Sequence, residues 1–100
     1  AAEYLQREGH RILARNWRTK FCEIDIVSQY GETMYFTEVK YRKRADQGGG
    51  LAAITSKKLR QMRFAAEYFM LKHHCEASPR LAVATVTGVD VMLEQWFAID

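Results

Sequence analysis

The sequence predicts an α/β domain, one mixed β-sheet with helices packed on it, in the order α-β-β-β-α-β-β. Three observations carry this. Apolar residues recur with the period of two that strands need and, elsewhere, with the period near 3.6 that helices need. Two β-prone runs are separated by Gly31-Glu32, which is a hairpin signal. Of the 100 residues, 48% are apolar and 12% aromatic, enough material for one core.

Residues 1–9, AAEYLQREG, read as a short helix stopped by Gly9. HRILARNW alternates loosely, with Ile12 and Ala14 opposing Leu13 and Arg15, and reads as a first strand. CEIDIVS alternates better, with Ile24 and Ile26 on one face and Glu23, Asp25 and Val27 on the other. TMYFTEVKY is β-branched and aromatic and makes a third strand. RKRADQGGGLAA breaks all periodicity, and its three consecutive glycines predict a mobile, basic loop. Thr55 or Ser56 caps the next helix. Its buried face is marked by Leu59, Met62, Ala66, Phe69, Met70 and His73, and it is expected to run to about His74. Ala77-Ser78-Pro79 reads as a turn, and RLAVATVT and VMLEQWFAI as two late strands.

The net charge of +3 conceals an asymmetry: residues 1–63 hold 13 Lys/Arg against 7 Asp/Glu, and residues 64–100 hold 2 against 5. A regional basic excess suits a polyanion such as nucleic acid, and equally suits a solvated face that keeps the protein soluble. No apolar run is long enough for a membrane span, so no membrane partner is expected. Two cysteines, Cys22 and Cys75, are too few for a disulfide scaffold and fit a reducing cytoplasm. With His73 and His74 they make a poor zinc pattern, since no C-x-x-C pair exists.

FTEVKYRKR, residues 36–44, puts Glu38 and Lys40 on one face of the third strand with a cationic tail attached. If Gly31-Glu32 is a two-residue loop, Asp25 opposes Glu38 and Glu23 opposes Lys40. A register shift of two keeps all four on one face, whereas an odd slip exchanges charged for apolar residues. Two carboxylates so placed repel, and a divalent cation reverses that; oxygen ligands suit Mg²⁺ or Mn²⁺. Lys40 beside them suits phosphodiester hydrolysis, in which anionic charge develops and water must be activated. E-V-K alone is a weak motif, and alternating charges on a strand also form ordinary salt-bridge ladders. Arg15, Arg18, Lys20, Arg42, Lys43, Arg44, Lys57 and Lys58 are the candidate phosphate contacts. Trp17 suits either the core or stacking on an unpaired base, and Trp96-Phe97 suits packing or a dimer surface.

ILARNWRTKFCEIDIV, YFTEVKYRKR and AITSKKLRQM, in that order, resemble the YraN-like family of small bacterial proteins over nearly the whole chain. That family is similar to restriction-endonuclease-like folds and to archaeal Holliday junction resolvases, metal-dependent nucleases built on an acidic residue, a distal Asp and an E-x-K strand. The resemblance implies that Asp25 and Glu38 hold the metal, that Lys40 is the catalytic lysine and that Glu23 supports the site. Lys58 matches a family lysine near the start of the second long helix. Three departures stand out. The Gly-Glu pair of the family's first helix is expected upstream of Ala1, Cys22 replaces a Gly, and Ala82 stands where Asp is common.

The expectation is therefore a single restriction-endonuclease-like α/β domain over residues 1–100, its N-terminal helix truncated. It would bind double-stranded or branched DNA and Mg²⁺ or Mn²⁺ and hydrolyse phosphodiester bonds. The alternative is a non-catalytic nucleic-acid-binding module on the same fold. A third reading is a scaffold whose polar strand face is incidental, and a homodimer is compatible with each.

Overall fold

The computed structural model describes residues 1–42, 54–87 and 92–99; the expected glycine loop, Lys43, Arg44 and the side chain of Arg42 lie outside the described residues. The elements follow the expected order: α1 (Ala2–Arg7), β1 (Arg11–Arg18), β2 (Glu23–Tyr30), β3 (Thr33–Arg42), α2 (Ser56–Lys72), β4 (Ser78–Thr87) and β5 (Met92–Ala98). The sheet order is β1-β2-β3-β4-β5. β3 and β4, joined through α2, are parallel, and the other neighbours are antiparallel.

Each face of the sheet has its own core. On one, Met62, Ala65, Ala66 and Phe69 of α2 pack on Ile24, Val27, Met34, Phe36 and Leu81. On the other, Ala2 and Leu5 of α1 pack on Ile26, with Ile12, Val39 and Trp96 around them. β4 lies inside the sheet with both faces covered, so Leu81 through Val86 are all buried, Thr85 included.

The β2–β3 hairpin has the register expected from its loop, from Tyr30↔Thr33 to Ile26↔Thr37. Gly31 sits at φ +60 while Glu32 keeps a negative φ, which is the glycine-first turn that suits right-twisted strands. Thr55 caps α2, its side chain accepting from the Lys58 N–H.

Strict alternation fails in two strands. A register shift between Ile12 and Ala14 adds one residue to β1, so Leu13 and Ala14 both pack toward the α2 core instead of opposing one another. In β2, Ile24 belongs to the α2 core and Ile26 to the α1 core, so the two isoleucines do not share a face. The expected turn at residues 77–79 is also corrected: β4 already begins at Ser78, and Pro79 pairs with Met34. A proline is tolerated in the opening residues of a strand, where a donor can be spared. α2 ends at Lys72, with His73 as its C-cap and His74 at φ +53. His73 is exposed rather than buried, though its ring stacks on Phe69 at 4.2 Å. Trp96 is packed, its indole N–H donating to Thr37 Oγ1 at 3.1 Å. The β4 residues paired with Thr37 and Trp96 are Ala82 and Ala84, small enough for the ring to reach across them.

α1 closes with paired bonds, Gly9 N–H to Gln6 O and His10 N–H to Leu5 O, around Gly9 at φ +97. This delivers His10 into an aromatic box, its ring centroid 5.2 Å from those of Tyr30, Tyr35 and Trp96. His10 Nδ1 shares a 2.9 Å hydrogen bond with the hydroxyl of fully buried Ser28.

Burial holds the His10 pKa below the usual imidazole range, against the opposing charge of Glu8. The unfolded chain therefore takes up this proton more readily than the folded one. Its contribution to stability is present above about pH 6.5 and is lost as pH falls through the lower folded value. Thermal melts should show Tm declining on acidification over this window. His10→Phe should flatten that decline and cost about 1 kcal/mol at neutral pH, through the unpaired Ser28 hydroxyl. An unchanged acid limb in the variant would assign the decline to other groups.

Candidate active site

The site begins where the β2–β3 ladder stops. Beyond Ile26↔Thr37, Asp25 turns its side chain to the neighbouring strand, and Oδ2 accepts the Val39 N–H at 2.7 Å. A carboxylate thus replaces a backbone carbonyl as the partner of that N–H. Asn16, on the β1 side of Asp25, takes φ +50, an uncommon conformation for a residue with a Cβ. The local irregularity is what separates Ile24 and Ile26 onto opposite cores. Asp25 lines a cavity of about 350 Å³ on the α1 side, with Arg15, Asn16, Val39 and Tyr41.

Glu38 follows the alternation of β3 and lies on the α2 side with Phe36. Its Oε2 is 3.3 Å from Lys58 Nζ in the first turn of α2, and the two side chains are only 14% and 26% exposed. Burial first, and the charge of Asp25 second, push the Glu38 pKa up; Lys58 and, more weakly, Lys40 pull it down without cancelling the rise. Glu38 is therefore the electrostatic meeting point of the candidate residues: Asp25, Lys40 and Lys58 all act on it. The expectation that Asp25 and Glu38 share one face is corrected: Asp25 borders the cavity on the α1 side and Glu38 the pocket on the α2 side, because β2 leaves strict alternation at Asp25. Glu23 turns to Arg18, 3.4 Å away, in an exposed pair of small energetic consequence.

The predicted cations divide between two places. Arg15 borders the Asp25 cavity. Arg18, Lys57 and Lys58 line a larger cleft of about 670 Å³ between the β1–β2 loop and the start of α2. Glu23 and Met62 line both this cleft and the small pocket at Glu38, so the two adjoin. Lys20 stands above the ring of Phe21, 5.9 Å from its centroid. Trp17 is a core residue, edge-on to Phe69 at 5.1 Å.

Sequence reasoning passed over Phe21 and Phe64, which line the large cleft together with Arg60. Arg60 was legible as a cation on the polar face of α2. Phe21 carried no periodic signal, since it lies in a short loop. Phe64 falls between apolar helix positions, and its exposure depends on how α2 is rotated on the sheet.

Fold and site define an α/β domain with a mixed five-stranded sheet, an acid–base group centred on Glu38, and a cationic cleft beside it. The family model described as "Uncharacterised protein family UPF0102" matches residues 1–91. A UPF0102 protein of Pseudomonas fluorescens is 46% identical over 70 residues, covering 70% of this chain and 58% of the relative. A Pseudomonas putida relative is 44% identical over 78 residues, 78% of this chain and 63% of the relative. One from Methylococcus capsulatus is 38% identical over 86 residues, 86% of this chain and 70% of the relative. The chain belongs to the UPF0102, or YraN-like, family. It spans about three fifths of the length of the two Pseudomonas relatives.

The raised Glu38 pKa makes a stability prediction. A carboxyl whose folded pKa exceeds its unfolded one costs stability once ionised, so the cost appears as pH rises through the folded value. Glu38→Gln should therefore raise Tm at neutral pH, with the gain closing as pH falls below about 4.5. Lys58→Met leaves the largely buried carboxylate unpaired and should cost about 1–3 kcal/mol at neutral pH, less in acid. Melts of both variants across pH test this; a lower neutral Tm for Glu38→Gln would show the Lys58 pair outweighing the burial of the charge.

Proposed function

We propose that this domain is a metal-dependent DNA endonuclease that hydrolyses phosphodiester bonds, with branched DNA the first substrate to test. The observation that carries the reading is Glu38: a largely buried carboxyl with a raised pKa, under the influence of Asp25, Lys40 and Lys58, beside a cationic cleft. A carboxyl perturbed by burial and by a neighbouring charge, set beside a cleft, is a functional-site candidate.

Asp25 and Glu38 are hard oxygen donors of the kind that Mg²⁺ or Mn²⁺ takes, ions that keep several waters; because the two open toward different faces, a shared ion would require one carboxylate to turn toward the other. Among the described residues no set of three His, Cys, Asp or Glu gathers as ligands, so the pair is a partial set. Bound there, the ion would supply Lewis acidity toward a phosphoryl oxygen. Lys40 would offset anionic charge as it develops. Lys58 would orient Glu38, and Arg18, Lys57 and Arg60 would hold the strand by its phosphates.

The Lys58–Glu38 pair also supports the second reading, a DNA-binding module without cleavage, because it neutralises one carboxylate from within the protein. Calorimetry with Mn²⁺ on the full-length protein separates the two. Asp25→Asn keeps an oxygen acceptor for the Val39 N–H, so it should fold. It should weaken Mn²⁺ binding by more than the roughly 10–100-fold typical of losing an outer-shell partner. Lys40→Ala should spare metal binding and abolish cleavage. No Mn²⁺ binding by the wild type would reject the nuclease reading, and binding without cleavage of branched, flapped or single-stranded DNA would favour the module.

DNA affinity should also fall with salt. Lys57→Ala/Arg60→Ala should flatten the log–log slope by about 0.9 for each duplex phosphate that the variant no longer neutralises. An unchanged slope and affinity would make these side chains a solubility face only.

A further inference from the structure

The large cleft is cationic, yet it carries two exposed phenylalanines. Phe21 is 67% and Phe64 49% exposed. Single exposed apolar residues are ordinary, but two aromatic rings lining one basic cleft ask for a ligand that is flat, apolar on its faces and anionic along its length. We propose that this cleft binds unpaired nucleotides, with bases stacking on Phe21 and Phe64 and phosphates held by Arg18, Lys57 and Arg60. The inference rests on the DNA reading above and adds to it the form of DNA taken and the side chains that select it.

Two further observations bear on Phe21 and Phe64. Phe21 is presented by a fastened loop. Thr19 Oγ1 accepts from the N–H groups of Phe21 and Cys22, both at 3.1 Å, and the Thr19 N–H donates to Cys22 O at 2.8 Å. A ring held on such a loop loses little freedom on binding, which favours affinity. Phe64 is steadied by Tyr68, the ring centroids 6.1 Å apart. The cleft also adjoins the Glu38 pocket through Glu23 and Met62, and Lys58 lines it while pairing with Glu38. A strand stacked in the cleft would therefore run beside the candidate reactive carboxyl. An apolar protein helix is a poorer occupant, since it would desolvate the cations around the rings without partners for them.

Fluorescence anisotropy with three labelled DNAs tests this: an oligothymidine strand, a blunt duplex, and the same duplex with an oligothymidine tail. The wild type should bind the tailed duplex more tightly than the blunt one. Phe21→Ala and Phe64→Ala should each lose about tenfold on the strand and the tail, and change little on the blunt duplex. Phe21→Leu keeps apolar bulk without an aromatic face and should lose as Phe21→Ala does, while Phe21→Trp should bind like the wild type. Phe21 is exposed enough that its variants should melt like the wild type, which keeps the test valid if Phe64→Ala folds poorly. Salt-dependent binding that ignores the tail, or Phe21→Leu binding like the wild type, would overturn the stacking inference and leave the DNA reading intact. No salt-dependent binding to any of the three would reject both. An oligoglutamate competing as well as oligothymidine would assign the cleft to an acidic peptide and overturn the inference.

Discussion

The hydrogen bond from the Val39 N–H to Asp25 Oδ2 is the constraint on which the site depends. Where β2 and β3 stop pairing, a backbone donor needs an acceptor, and an unsatisfied one in a part-buried position would cost about 1–3 kcal/mol. Asp25 meets that need and is thereby anchored at the residue that follows Glu38. The same turn of Asp25 accounts for the split of Ile24 and Ile26 between the two cores, so one local exception organises both faces of the sheet around the site.

Placement of the charges follows from the layers. β3 is a central strand, flanked by β2 and β4, so a carboxylate on its α2 face is only partly hydrated. Lys58 comes to it because the Thr55 cap fixes the first turn of α2, and Lys58 N is the group that the cap satisfies. Helix initiation and the Glu38 ion pair thus share one residue. The cleft beside them is bounded by the same first turns of α2 and by the Thr19 loop, so the cations and the Glu38 carboxyl are positioned by common elements rather than by separate ones.

Much of the architecture was legible in the sequence because it rests on local rules. The Gly31-Glu32 turn set the hairpin register, Gly9 the end of α1, and the polar cap at Thr55 the start of α2. Period-two reasoning erred where a side chain took over a backbone role, at Asp25, and where an extra residue entered the ladder near Leu13. Neither event has a composition signal. The candidate acids and lysines were found by type and spacing, but the pairing of Glu38 with Lys58 joins residues twenty apart in sequence across a parallel crossover, and only the packing of α2 reveals it. Trp17 drew attention as the large aromatic, while the exposed ring is that of Phe21 in the loop beyond.

The irregular edge of the sheet has a consequence for how the chain keeps to itself. β1 is an outer strand and would ordinarily offer a ready template to another molecule's strand. An incoming strand would meet the extra residue near Leu13, the left-handed turn of Asn16, and the exposed arginines Arg11, Arg15 and Arg18. Continuous pairing along that margin is geometrically interrupted and electrostatically unwelcome to another cationic copy. The features that shape β1 around Asp25 thus also break up the pairing template along that margin.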